Sequence, residues 1–369
     1  MPAEVMSEHS PAQSEVLNKY QAAAELANKA LAYALALVSP GASALSICVR
    51  TDEELTQLAT KVYRGVSKGI SFPCCVSVNN TLCHFSPMDV ESDVQLKEGD
   101  LVKVELGAHI DGFPALVASS VVVGATKDKP ATGLAADLVH AAHLTAEAAL
   151  RLIRDGKSSA ETAATLKKLT GELNVSFVEG MISHSVSKDR LAHDKMIIVN
   201  PSDQQAKMVQ PCVFSNYDVF VVDVAISSAE GKVEPNDNLR TNIYCRTGDT
   251  YSLRLKTSRA VVSEASSRFG TMAFHIRQLE DSTKARMGLL ECTQHGVTNA
   301  YEVLEDKKDA LTARVMFTTV LLPAGPLKIT DYKYDIQTVK PAVAVKSKEL
   351  LELLDAPVRV TKKDKRTAA

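Results

Sequence analysis

Three side chains able to ligate a metal or carry a proton sit inside runs that are otherwise largely apolar: Glu105 in VKVELGAH, His184 in GMISHS and Asp223 in FVVDVAIS. A carboxylate in a central strand is costly to bury without a partner. Glu105 and Asp223 therefore each call for a counter-charge, and His184 or a lysine is the expected one. As metal ligands the three fall short in number, because a hard divalent ion takes roughly six oxygen or nitrogen donors and structural zinc four. Cys74, Cys75 and Cys83 lie in one segment, yet no base stands at a recognisable spacing to activate a thiolate, and cysteine is among the most readily buried residues. A different chemistry is offered by Arg254, Lys256, Arg259, Arg268, Arg277, Lys284 and Arg286, which suit either a solvated face or contacts to phosphate.

The elements that must position these residues follow from periodicity. The run from Ser14 to Val38 is rich in Ala and Leu, with apolar residues near helical spacing, and Ser39-Pro40-Gly41 ends it. A second helix is expected to begin at Thr51, with Thr51 as N-cap and Glu54 closing a capping box. Strands are expected at Cys75–Val78, Leu82–Phe85, Leu101–His109 and Ala115–Val123, the last two joined by a hairpin turn at Asp111-Gly112. The order then recurs: a helix over Leu134–Ile153, a shorter one over Ser159–Leu173, and strands near Val175–Glu179, Met196–Val199 and Val219–Ile226. The phrase "helix, Gly, any, Ser, helix" occurs at Gly41-Ala42-Ser43 and again at Gly156-Lys157-Ser158, which suggests two related halves, although such cap chemistry is common. The resulting expectation is an α+β fold, pseudo-two-fold, with a central antiparallel sheet and outer helices. Along the chain this gives a flexible N-terminus (1–13), a main domain (14–346) interrupted by a helical insertion at about 251–308, and a C-terminal helix with a basic tail (347–369) that carries Lys362 and Lys363. A final strand is expected at Ala313–Leu322.

Composition sets the limits. The chain has 369 residues, 45% of them apolar and 23% charged, with a formal net charge of -2, so it does not coat nucleic acid with its whole surface, though a local basic patch is compatible. The seven cysteines are odd in number and lack C-x-x-C spacing, as expected of reduced thiols in a cytosolic or nuclear protein. The polar start has no apolar core of a secretory signal, and no apolar stretch is long enough to span a membrane.

Several segments, in order, resemble the methionine aminopeptidases of type 2: ISFPCCVSVNNTLCHFSP (Ile70–Pro87), EGDLVKVELGAHIDGF (Glu98–Phe113) and EGMISHS (Glu179–Ser185). NPSDQQ (Asn200–Gln205), VVDVAISSAEGKV and FTTVLLPAGPLKIT look closer to a peptidase-like branch, the proliferation-associated, ErbB-receptor-binding proteins, which are related to ribosome-export factors. The resemblance runs from about Ser14 to Thr330 and implies the "pita-bread" fold. It also implies a two-metal site whose five ligand positions fall on Glu105, Leu116, His184, Asp223 and Met316. Leucine has no donor atom, and a thioether suits copper(I) rather than a hydrolytic ion. Both positions that bridge the metals in the peptidases are thereby lost. His84 and His193 match histidines on the substrate side.

The reading drawn from all this is a catalytically inactive protein on a peptidase fold, holding no cofactor. It is expected to bind the large ribosomal subunit or structured RNA and to regulate translation or growth. Arg254, Lys256, Arg259, Lys328, Lys333, Lys362 and Lys363 are the candidate phosphate contacts. An active metallo-aminopeptidase with an atypical metal site is the first rival, and a peptide-binding signalling or transcriptional adaptor the second. Protein partners in growth signalling, a monomeric state and a cytoplasmic location, with nuclear or nucleolar residence also open, complete the expectation.

Overall fold

A computed structural model describes residues 8–236 and 238–359 of the chain. A nine-stranded sheet is its spine, with the neighbouring strands Lys68–Val78, Leu101–Ile110, Phe113–Val122, Thr312–Leu322, Val219–Ser227, Ser183–Ser185 and Met196–Ile197 in that order, all paired antiparallel. The strand Leu101–Ile110 is buried along its whole length, which fits an interior strand packed on both faces. It turns back at Asp111 and Gly112, where φ values of 52° and 78° match the two left-handed positions of a type I′ hairpin.

Two helix pairs cover one face of this sheet. In the first half, α1 (Ser14–Leu37) and α2 (Ala44–Thr60) bury Ala23, Ala27, Leu31 and Ile47 against Val102, Val104 and Val117. In the second half, α3 (Gly133–Leu152) and α4 (Ser159–Glu172) bury Leu138, Ala142, Leu166 and Leu169 against Val222, Val224 and Val315. The doubled Gly-x-Ser phrase has a structural meaning: Ser43 caps α2 and Ser158 caps α4, each after a glycine with positive φ. The expected start of the second helix at Thr51 is therefore corrected. Thr51 lies inside α2 and is buried, its hydroxyl without a hydrogen-bond partner, because the true cap stands eight residues earlier at Ser43.

The region expected to be a helical insertion is mixed. It contains α6 (Lys256–Arg268) and α7 (Ser282–Gln294) packed on a three-stranded sheet whose centre, Ile243–Arg246, pairs with Phe274–His275 and Thr298–Tyr301. The strands are too short for their period to show in the sequence. Gly288 brings the two helices together; a Cβ there would stand 2.8 Å from the backbone of Thr257. Arg277 clasps this module to the first half through Asp52 on α2 and Ser86. The short α5 (Asp203–Met208) and the C-terminal α8 (Lys348–Asp355), the latter packed on α3, complete the helices.

Candidate functional site

Register places the candidate residues on one face of the sheet. Glu105 pairs with Ala118, Ala118 with Met316, and Met316 with Asp223, so these four form a line across four strands. Residues two apart along a strand share a face, which adds Leu116 and Arg314 to the same surface. His184 pairs with Val221, two residues from Asp223, and comes in from the next strand.

Arg314 occupies the centre of this arrangement. Its Nε donates to Asp223 Oδ1 at 2.8 Å and its Nη2 to Asp223 Oδ2 at 2.7 Å, a two-pronged pairing, while its Nη1 donates to Glu105 Oε2. All three side chains are buried, with Arg314 only 4% exposed. The Met316 sulfur lies 3.7 Å from Nη2. The Arg314 backbone is itself pinned, because its N–H donates to Ser120 Oγ and its carbonyl accepts from the same hydroxyl, both at 2.8 Å. The expected partner of the two carboxylates, His184 or a lysine, is thus corrected to an arginine.

Two histidines flank the ion triad, both half-buried. The Glu105 side chain accepts from the His84 backbone N–H, and His84 Nδ1 lies 2.9 Å from the Glu302 carbonyl, so that Nδ1 carries the ring proton. The His84 ring stands against Phe72 and Tyr301 at 5.7 and 5.3 Å between centroids, and its backbone holds a left-handed φ of 65°. His184 Nδ1 lies 3.3 Å from the Ser185 carbonyl. Burial pushes both imidazoles below their ordinary range, against the pull of Glu105 on His84 and of Asp223 on His184. Burial alone would raise the Glu105 carboxyl; Arg314 outweighs it and, with His84, holds the group below the usual carboxylate range. Burial likewise works against the Arg314 cation, and Asp223 and Glu105 override it, raising its affinity for the proton.

The ligand set of a dinuclear hydrolase does not fit here. Leu116 and Met316 are buried at 6% and 3% exposure among apolar side chains that include Phe72, Cys75 and Met272, and neither offers a hard donor. The oxygens of Asp223 and one of Glu105 already face a guanidinium. Among the described residues, no group of three or more His, Cys, Asp or Glu is placed to hold an ion.

The remaining candidates disperse. His193 does not join the triad: its N–H donates to the Ser185 carbonyl and its ring faces Asp194, in a cavity of about 360 Å³ lined also by Tyr20, Lys195 and Tyr217. Arg254, Lys256 and Arg259 lie exposed at the start of α6, with Arg259 donating to the carbonyls of Leu253 and Arg254. Lys328 belongs to a different region. Its ammonium meets Asp331 at 2.6 Å and Glu147 at 3.5 Å and sits over the Phe317 ring, while Lys333 is exposed. Lys362 and Lys363 lie outside the described residues. Sequence reasoning missed Arg314 altogether, although an arginine two residues before Met316 in the apolar run TARVMFTTVLL is a visible signal. It also missed Met287 and Leu290, which stand 63% exposed on α7, the helix packed against α6.

Residues 18–231 match the model of metallopeptidase family M24. The curved DNA-binding protein of Schizosaccharomyces pombe is 37% identical over 370 residues, spanning 99% of this chain and 96% of that protein. ERBB-3 binding protein 1 of Solanum tuberosum is 35% identical over 357 residues, covering 95% and 89% respectively. Among solved structures, a thermophilic Arx1 superposes with a TM-score of 0.89 at 29% identity, covering 95% of this chain and all (100%) of that one.

Proposed function

The chain belongs to metallopeptidase family M24 and has the pita-bread fold that this family shares with the methionine aminopeptidases, and we propose that within it the protein works by binding rather than by hydrolysis. One observation carries this reading: an arginine is salt-bridged to both carboxylates left on this face of the sheet, at the positions where the family resemblance would set a hydrolase's ions. An activated water needs a cation with an open coordination position; a guanidinium is a hydrogen-bond donor with none. The names of two relatives speak of binding, to curved DNA in one and to ErbB-3 in the other.

The partner on this reading is structured RNA, with the large ribosomal subunit as the assembly. The contact face is the start of α6, where Arg254, Lys256 and Arg259 are exposed together on a chain whose net charge is only -2. Clustered cations that displace counter-ions from phosphates give sequence-independent, salt-sensitive affinity. The exposed Met287 and Leu290 of the neighbouring α7 add apolar surface on the same module. Lys333 and Lys328 lie on another part of the molecule, and Lys328 is committed to Asp331 and Glu147, so neither belongs to this face. The location that goes with this role is cytoplasmic with a nuclear or nucleolar pool; among the described residues no helix is long and apolar enough to cross a membrane.

Co-sedimentation of the purified protein with large subunits over a salt series tests the reading. Binding should fall steeply with salt and be lost when Arg254, Lys256 and Arg259 become glutamate. Release of N-terminal methionine from short peptides in the presence of cobalt or manganese would instead establish the enzymatic alternative.

A further inference from the structure

We infer that Arg314 is a resident cation, a permanent clamp across the two halves of the sheet that makes this part of the sheet independent of any bound ion. Its strand, Thr312–Leu322, lies between the two carboxylate-bearing strands. Asp223 is on the immediate neighbour Val219–Ser227, and Glu105 is one strand beyond Phe113–Val122 on the other side. One guanidinium therefore joins a strand of the first half to a strand of the second. A planar fork suits this task, since it meets both Asp223 oxygens in one plane and still presents a third N–H to Glu105. An ammonium is a point charge and cannot span both carboxylates in the same way. The Ser120 hydroxyl, bonded to both the N–H and the carbonyl of Arg314, fixes the strand from which the fork extends. Nothing in this inference depends on what binds the α6 face.

The site is accordingly a guanidinium site that the chain fills from within, and emptying it should leave a cavity selective for that cation. Arg314→Ala retains Cβ and removes what amounts to ethylguanidinium. Thermal melts of the full chain and of the R314A variant, each with millimolar ethylguanidinium, with manganese and with a chelator, provide the test. The full chain should melt at the same temperature under all conditions. R314A should melt about 4 to 6 °C lower, and ethylguanidinium should restore a saturable part of that loss while ethylammonium restores none. R314K, which keeps the charge but not the fork, should melt between the two. Three results would overturn the inference: a chelator-sensitive, saturable stabilisation of the native chain by manganese, a folded R314A that ignores ethylguanidinium, or an R314K that melts with the native chain. Should R314A be recovered only as aggregate, the chelator and manganese arms on the native chain and the R314K midpoint still decide the matter.

Discussion

The sheet face around Arg314 and the outer face of the α6–α7 module use basic side chains to opposite ends. On the sheet, Arg314 is 4% exposed and spends its donors on Asp223 and Glu105. On the outer face, Arg254, Lys256 and Arg259 are exposed at the start of α6, Arg259 also donating to the Leu253 and Arg254 carbonyls, and the neighbouring α7 carries two exposed apolar side chains, Met287 and Leu290. Burial forces a charge to be satisfied within the chain, and a satisfied charge has little left for a partner. On the function proposed above, an M24 fold keeps its shape while its interior charge serves structure and its surface charge is the part left available to others.

The sharpest way to break this contrast is to remove the inner cation alone. Arg314→Met keeps the unbranched stem out to the position of Nε but leaves two carboxylates buried without a counter-charge. It is expected to cost about 3–5 kcal/mol in denaturant unfolding. Replacing all three members with apolar residues of similar size should recover most of that loss, since a buried ion network often contributes little net stability over well-packed apolar side chains. A triple variant no more stable than Arg314→Met would mean that the network does more than balance its own charges.

A second comparison lies inside the molecule, between the satisfied triad and an unsatisfied polar group. His143 on α3 stacks on Tyr334 with centroids 4.0 Å apart, and its Nε2 has no hydrogen-bond partner. Burial, with Lys328 and His140 nearby, pushes its pKa down to about 3. The folded form thus prefers the neutral ring, and the unfolded chain takes up a proton below its ordinary value of about 6.5. Stability from this source is complete above pH 6.5 and is lost as pH falls toward 3, by about 2 kcal/mol at pH 5. His143→Phe keeps the stacked ring and should flatten the melting curve between pH 6.5 and 5 by that amount. An unchanged pH slope would remove His143 from the acid response.

How much of this was legible in the sequence differs between the same two regions. The halves, the hairpin at Asp111-Gly112 and the strands carrying Glu105 and Asp223 follow from period and turn chemistry, because those signals are local. Thr51 misled because Thr-x-x-Glu satisfies a capping pattern wherever it falls. Only the burial of Thr51 and the bond from the Ser46 N–H to Ser43 Oγ reveal where the helix begins. Ser43→Ala and Ser158→Ala should each cost about 1 kcal/mol as true caps. Arg314 was invisible for a different reason. A search for ligands asks which positions have lost a donor, whereas the substitute cation sits two residues from Met316 and acts only through cross-strand register. The sheet of the insertion stayed hidden because strands of two to four residues are too short to display alternation.

The smallest stability effect belongs to the outer face, and there the contrast is tested most cleanly. Changing Arg254, Lys256 and Arg259 together to glutamate touches side chains that are exposed and lie in none of the hydrophobic cores. The internal bonds at stake are those from Arg259 to the carbonyls of Leu253 and Arg254, and surface changes of this kind usually stay within about 0.5 kcal/mol each. Unfolding midpoints should therefore hardly move while association with large subunits falls at every salt concentration, since each displaced phosphate contact lowers both affinity and its salt slope. Stability lost together with binding would show that the face is part of the fold after all, and binding retained would move the interface elsewhere. Arg314→Met is expected to show the reverse pattern, a large effect on stability, so measuring both variants side by side asks whether the buried and the exposed basic residues have separate tasks. A chain in which Arg314→Met abolished RNA association while remaining folded would join the tasks and require a path between the Arg314 triad and α6.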